Sequence, residues 1–273
     1  MMNRVIAGLA FLTSVVAYAE GVPTFLAKGL PDEAVPSAAA LMGGIEKGVL
    51  PTKVKHLLAL AVASQIPCRY CVIAHKTFLE AGGASDVEVR EAIGLAAGTR
   101  FFSTWLNGTA PDEAAFRRET DQILAYAKKM GASGKMPAPI VVTDAASAQK
   151  DMEQLLGRVP SFFKGFPEAA AVPAWQQMKA IQLNPKSAIA GKYKELIGLG
   201  VASQIPCRYC VYFHTEAAKL YGATDAEIKE AVATAALTRF LSTVANGVQQ
   251  DEMAFRKEVQ AMADEMRKQM TRK

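Results

Sequence analysis

The stretch VASQIPCRYCV runs from Val62 to Val72 and recurs without a change from Val201 to Val211. Each copy carries a Cys-x-x-Cys pair, and a histidine follows four residues after the second cysteine. These two clusters contain all four cysteines of the chain and two of its three histidines: Cys68, Cys71, His75, Cys207, Cys210 and His214. A repeated cluster of reactive side chains indicates two equivalent sites in one chain.

The residues that follow the proline of each copy have the pattern of a helix, and we expect the first of these helices to begin at Pro67. Proline is well tolerated in the first turn, because its missing N–H has no helical partner there. With about 100° of rotation per residue, both cysteines and the histidine of each copy lie on one face. The helix dipole and the arginine between the cysteines, Arg69 or Arg208, favour a thiolate at the first cysteine. The motif therefore has the features of a redox-active dithiol.

The two copies belong to a longer repeat, which continues at a constant offset of 139 residues. A capping box, Ser-x-x-Glu, at 85–88 recurs as Thr-x-x-Glu at 224–227, and each box marks the start of a further helix. No segment of useful length alternates like a strand, and the βαβ frame of a thioredoxin-type fold is missing around the motif. We therefore predict an all-α fold of two tandem helical domains, residues 20–131 and 159–273, joined by a linker at 132–158.

The first nineteen residues have the pattern of a signal peptide, with a basic start at Met1–Arg4, an apolar run at Val5–Val16 and an Ala-x-Ala site at 17–19. We expect a periplasmic or secreted protein with no membrane segment after cleavage; an uncleaved membrane anchor is the alternative. The net charge of +5 comes without a basic run, which argues against a nucleic-acid partner. A Cys-x-x-Cys bridge closes too small a loop to constrain the unfolded chain much, so the spacing favours a switchable pair over a structural disulfide.

The position twelve residues before each first cysteine adds a further polar side chain, Glu195 in the second copy and His56 in the first. If this helix and the cysteine helix form an antiparallel pair, that side chain returns to the cysteine face. The resulting pattern, Glu-x11-Cys-x2-Cys-x3-His with a glycine eight residues after the histidine, resembles the AhpD-like alkyl hydroperoxidase branch of the carboxymuconolactone decarboxylase family. The second copy matches throughout, including Gly222, whereas the first copy departs at His56. The resemblance covers roughly residues 22–130 and 159–268.

The resemblance implies a peroxidase in which a Cys-x-x-Cys pair cycles between dithiol and disulfide. It assigns the attack on a hydroperoxide to the second cysteine of each pair, Cys71 or Cys210, and formation of the disulfide to Cys68 or Cys207. His75, His214 and Glu195 would be proton-relay residues, and His56 a variant of the relay. It also implies a thiol reductant as electron donor, which the sequence does not identify, and a homo-oligomer, for which we expect a trimer of these double chains.

Other interpretations remain open on the sequence alone. Two cysteines and a histidine could bind zinc with Glu195 or His56 as a fourth ligand, although a compact second ligand pair is missing. Covalent haem is excluded, because valine and not histidine follows the second cysteine. The family also contains decarboxylases, whose chemistry does not require Cys-x-x-Cys. Disulfide exchange with other proteins and a non-catalytic helical assembly are the remaining alternatives. We predict no resident cofactor or metal.

Overall fold

A computed structural model of the chain describes residues 22–133 and 137–271. These residues form thirteen α-helices and one short 3-10 helix, without a strand, so the predicted all-α fold is confirmed. None of the helices in these two ranges combines the length and hydropathy that a bilayer-spanning segment requires. The predicted signal peptide at 1–19 lies outside the described residues.

The helices of the first half are α1 (Thr24–Gly29), α2 (Val35–Glu46), α3 (Thr52–Gln65), α4 (Arg69–Ala81), α5 (Asp86–Thr109) and α6 (Glu113–Ser133), with the 3-10 helix Asp32–Ala34 before α2. Those of the second half are α7 (Ala145–Leu156), α8 (Ser161–Lys164), α9 (Glu168–Ile181), α10 (Gly191–Gln204), α11 (Arg208–Leu220), α12 (Asp225–Val248) and α13 (Glu252–Thr271). Helices α3–α6 therefore recur as α10–α13. The predicted linker at 132–158 contains the additional helix α7.

Helices α3 and α10 lie at the centre of the molecule and pack against each other. Nine of the fourteen residues of each are buried, which is the pattern of a helix surrounded by others. The two helices approach closely where Gly200 faces Leu58, since a Cβ at Gly200 would lie 2.9 Å from the leucine side chain. Both α5 and α12 pack against this central pair, so one shared hydrophobic core joins the two halves.

The two halves of the chain are interleaved. Helix α4, which carries the first cysteine pair, packs against α12 and α13 of the second half. Helix α11, which carries the second pair, packs reciprocally against α5 and α6 of the first half. Each cysteine helix is therefore covered by helices from the other copy of the repeat.

Both predicted capping boxes are present and begin the longest helices. The side chain of Ser85 accepts the N–H of Glu88, whose carboxylate accepts the N–H of Ser85, and Thr224 and Glu227 repeat this arrangement. These hydrogen bonds satisfy N–H groups that a helix start would otherwise leave unpaired. The boxes fix where α5 and α12 begin and thereby which of their residues face the opposite cysteine pair.

Candidate functional site

The first cysteine of each pair is the residue that caps its helix. Helix α4 begins at Arg69, two residues after the approximate start expected at Pro67, and Cys68 precedes the helix with an extended backbone, φ −90° and ψ 94°. In this conformation its sulfur accepts the N–H of Cys71 at 3.2 Å, and Cys207 accepts the N–H of Cys210 at 3.3 Å. Amide donors at a helix start stabilise negative charge on the sulfur that they face.

Both motifs bring their two sulfurs together. Cys68 and Cys71 form a disulfide within one motif, as the three-residue spacing predicts. Cys207 and Cys210 are free thiols, with their sulfurs 2.7 Å apart. Neither pair is linked to the other, so each motif is a self-contained dithiol or disulfide.

The second copy places the predicted carboxylate beside the predicted histidine. Nδ1 of His214 lies 2.7 Å from Oε2 of Glu195, and both side chains are buried. The other carboxylate oxygen of Glu195 accepts a hydrogen bond from the side-chain amide of Gln182 at 2.7 Å. Because Nδ1 faces the carboxylate, the imidazole is held in one orientation, and Nε2 is the nitrogen left to exchange a proton with another group.

The first copy replaces this pair with two histidines. Nδ1 of His56 lies 3.2 Å from Nδ1 of His75, and the ring of His56 stacks on Phe78 with centroids 4.9 Å apart. Burial, followed by the neighbouring charge of Lys55, lowers the pKa of His56 to about 4. Burial, followed by the neighbouring His56, lowers the pKa of His75 to about 3. Both rings are therefore neutral near neutral pH, and neither offers the carboxylate that orients His214.

A glycine makes room for His214. The imidazole lies against α10 at Gly198, where a Cβ would come within 2.4 Å of the ring. The corresponding residue of the first copy is Ala59. Gly198 therefore permits the ring to lie close to the helix, whereas the side chain of an alanine would displace the ring. The sequence offered a signal for it, since the two copies differ at this position.

Cys210 and His214 lie at the wall of a cavity of about 100 Å³. The cavity is lined mostly by apolar side chains from both halves of the chain, among them Leu95, Phe102, Phe116, Phe162, Met178 and Ile181. Cys207 is fully buried and is not part of the wall, whereas Cys210 is 5 % exposed. Cys210 is therefore the sulfur of this pair that a molecule in the cavity would meet.

The surroundings of the second pair shift the pKa values of its two thiols in opposite directions. The hydrogen bond with Cys210 lowers the pKa of Cys207 to about 6; backbone N–H groups at the helix start and the hydroxyl of Ser103 act in the same direction, and burial acts against them. The hydrogen bond with Cys207, burial and the adjacent charge raise the pKa of Cys210. The hydroxyl of Ser103, from α5 of the first half, donates to Cys210 at 3.2 Å and acts against that rise.

Comparison with known proteins identifies the family to which the chain belongs. The family model described as carboxymuconolactone decarboxylase family matches residues 35–113 and matches again at 169–252. The chain belongs to the carboxymuconolactone decarboxylase family. The two matches agree with a tandem duplication of one helical unit within this family member. No curated protein and no solved structure matches the chain.

The predicted site residues of this family member fall into two separate groups. One contains Glu195, Cys207, Cys210 and His214; the other contains His56, Cys68, Cys71 and His75. Within the described residues, no three or more His, Cys, Asp or Glu side chains are grouped as metal ligands. Sequence reasoning missed Ser103, which reaches the site from α5 of the other half, and Gln182, which follows the end of α9. Only the repetition of Thr-Arg-Phe-x-Ser-Thr at 99–104 and 238–243 hinted that the region around Ser103 matters.

Proposed function

We propose that the chain is a thiol-dependent peroxidase of the AhpD-like branch of its family, and that its second copy is the principal catalytic site. The observation that best supports this proposal is the position of Cys210. It lies at the wall of an apolar cavity, 2.7 Å from a second sulfur and beside a histidine that a buried carboxylate orients.

In the first step, the thiolate of Cys210 attacks one oxygen of a hydroperoxide. A sulfur–oxygen bond forms, the oxygen–oxygen bond breaks, and the sulfur is oxidised to a sulfenic acid. The leaving alkoxide takes a proton and departs as an alcohol. His214 is the group suited to accept the thiol proton and return it to the alkoxide, while Glu195 stabilises the imidazolium that exists between the two transfers.

In the second step, the sulfur of Cys207 attacks the sulfenic sulfur of Cys210. A disulfide forms, and the hydroxyl leaves as water after it takes the proton of Cys207. The disulfide between Cys68 and Cys71 supports this step, because it occupies the same positions of the same motif. An external thiol reductant then supplies two electrons and two protons, so that one hydroperoxide becomes one alcohol and one water.

The cavity favours an organic hydroperoxide as substrate. Its wall is almost entirely apolar, so an alkyl or aryl group would leave water on entering, while the peroxide group would meet Cys210 and His214. We also retain the proposals that the mature chain acts in the periplasm or outside the cell and that it forms a homo-oligomer.

The test is a matched pair of variants, Cys210→Ser and Cys71→Ser, which remove equivalent cysteines from the two copies. With cumene hydroperoxide and dithiothreitol, we expect Cys210→Ser to lower turnover by at least about a hundredfold. The Cys71→Ser variant should retain most of the activity. Dimedone labelling of the Cys207→Ser variant should place a sulfenic acid on Cys210 after one equivalent of hydroperoxide.

Two results would contradict the proposal. Equal losses in both variants would remove the assignment to the second copy. An unaltered protein that neither consumes hydroperoxide nor forms a sulfenic acid would exclude the peroxidase, and rapid transfer of its disulfide to a protein thiol would favour disulfide exchange instead.

A further inference from the structure

Ser103 links the first half of the chain to the reactive sulfur of the second half. It lies on α5, is fully buried, and donates its hydroxyl hydrogen to Sγ of Cys210 at 3.2 Å. The two residues are 107 positions apart, so only the interleaving of the halves brings them together. A fully buried serine in a helix that packs against α11 therefore contacts the reacting atom itself.

The direction of this hydroxyl differs from that of its neighbour on α5 and from that of its counterpart on α12. A helical hydroxyl commonly donates to a carbonyl three or four residues earlier. Thr104, next to Ser103, does so to Arg100 at 2.9 Å. The counterpart of Ser103 in the second half is Ser242, which is equally buried but donates to the carbonyl of Arg239 at 2.8 Å. Ser103 thus gives its proton to a sulfur, whereas its counterpart gives the proton to its own helix.

The location of the negative charge within the second pair depends on such donors. When the pair has lost one proton, the two sulfurs at 2.7 Å share the remaining one. Cys207 receives the N–H of Cys210, which draws the charge towards the sulfur that is absent from the cavity wall. Cys210 receives the hydroxyl of Ser103, which stabilises negative charge when that charge lies on the sulfur at the wall. A hydrogen bond to a charged group is stronger than one between neutral groups, so the loss of this donor would slow a reaction at Cys210.

We propose that Ser103 is a further catalytic residue of the second site: its hydroxyl donates to the sulfur of Cys210 and stabilises the negative charge that this sulfur carries when it attacks. The proposal rests on the proposed function for its relevance to hydroperoxides. The effect of Ser103 on the reactivity of Cys210 does not rest on it, because the rate of reaction with any small electrophile that enters the cavity measures that reactivity.

The experiment uses the full chain with Cys68 and Cys71 both replaced by serine, so that the second pair alone can react. The reduced protein receives a short pulse of iodoacetamide between pH 5 and pH 9, and peptide mass spectrometry gives the alkylation rate of each cysteine. We expect Cys210 to carry most of the label in this parent protein, because it lies at the cavity wall whereas Cys207 is fully buried. Ser103→Ala should lower the rate at Cys210 by at least about tenfold and raise the share of label on Cys207.

Ser242→Ala is the matched control, since it removes a hydroxyl from the equivalent buried position without touching the second pair. It should leave both rates within about twofold of the parent. Ser103→Thr keeps the hydroxyl and should retain the preference for Cys210. Unchanged rates in Ser103→Ala would overturn the proposal, and so would an equal loss in Ser103→Ala and Ser103→Thr, because the effect would then be one of packing.

The two proposals fail in different ways. If the label moves as expected but the parent does not reduce hydroperoxide, the role of Ser103 in charge placement stands and the peroxidase does not. If hydroperoxide turnover is high and Ser103→Ala changes neither turnover nor labelling, the peroxidase stands and Ser103 is a packing residue.

Discussion

At the scale of single residues, the two sites differ most at one equivalent position, which is Glu195 in the second copy and His56 in the first. Glu195 accepts hydrogen bonds and can stabilise a protonated His214 at 2.7 Å. His56 at the equivalent position faces His75 at 3.2 Å, where a charge on either ring disfavours a charge on the other. The surroundings of His56 and His75 therefore disfavour the protonated form of both rings, and the pair is poorly suited to relay protons near neutral pH.

This histidine pair predicts a loss of stability in acid. The pKa of His56 is about 4 and that of His75 about 3 in the folded chain, whereas both are near 6.5 when unfolded. As the pH falls from about 6.5 towards 4, the unfolded chain binds protons that the folded chain does not, so the free energy of unfolding decreases. Above about pH 6.5 the folded and unfolded chains bind equally few protons at these two histidines, and this contribution to stability is fully present.

The variant His56→Gln should therefore weaken the dependence on pH. Urea unfolding at pH 7.5 and pH 4.5 gives the decrease in the free energy of unfolding between the two pH values. We expect the part of this decrease that is due to the histidine pair to be roughly half as large in the variant as in the unaltered protein. His75 remains buried in the variant, so the dependence should shrink rather than vanish. A variant with the same pH slope as the unaltered protein would show that the two rings titrate normally.

At the scale of helices, the spacing between α5 and α9 sets the size of the cavity at Cys210. Gly98 of α5 faces Ile181 of α9, and both line the cavity. A Cβ at Gly98 would lie 3.9 Å from the isoleucine side chain, an ordinary contact distance. The equivalent position of α12 is Leu237. A small residue on α5 thus leaves open space that a leucine side chain would occupy.

We predict that Gly98→Leu discriminates between substrates by size. Turnover of cumene hydroperoxide should fall by at least about tenfold, while that of hydrogen peroxide should change by no more than about twofold. Gly98→Ala is the control, because its Cβ fits without displacing Ile181, and it should keep most of the activity towards both. Parallel losses with both peroxides in the leucine variant would indicate that the substrate does not use this cavity.

At the scale of the whole molecule, buried charges join the two halves. The ammonium group of Lys55, on α3, lies 3.0 Å from the carboxylate of Glu230, on α12, and also donates to the carbonyl of Glu46 at 2.6 Å. Glu230 in turn accepts the N–H groups of Val49 and Leu50 before α3. Because Lys55 is 3 % and Glu230 10 % exposed, water compensates poorly for the loss of either partner.

Breaking this contact should destabilise the assembled fold. We expect Glu230→Gln to lower the free energy of unfolding by about 3 kcal/mol, since it leaves the buried Lys55 without a counter-charge. The control is Glu216→Gln, which removes the partner of Lys219 in an exposed pair and should cost less than about 1 kcal/mol. Denaturant unfolding at pH 7.5 measures both, and equal effects would show that burial of the pair does not matter.

Much of the local structure was determined by the sequence. Periodicity and capping residues are local signals, and so the helical class, the starts of α5 and α12, and the pairing of Cys68 with Cys71 could be predicted. The residue twelve positions before the first cysteine was also predicted to return to the cysteine face if the two helices form an antiparallel pair, because two helices joined by a tight turn have little choice of arrangement. The domain boundaries at 20–131 and 159–273, the signal peptide and the trimer stay predictions.

The tertiary structure alone decided which half of the chain completes each site. The repeat made two self-sufficient units an equally good interpretation, since helices α4 and α11 have the same apolar faces whichever copy of α5 or α6 covers them. Packing of α3 against α10 resolves this choice: the central pair places α5 and α6 of one copy over α11 of the other. Contacts such as that between Ser103 and Cys210 depend on this arrangement and have no local signature, because residues 107 positions apart meet only when the shared core forms.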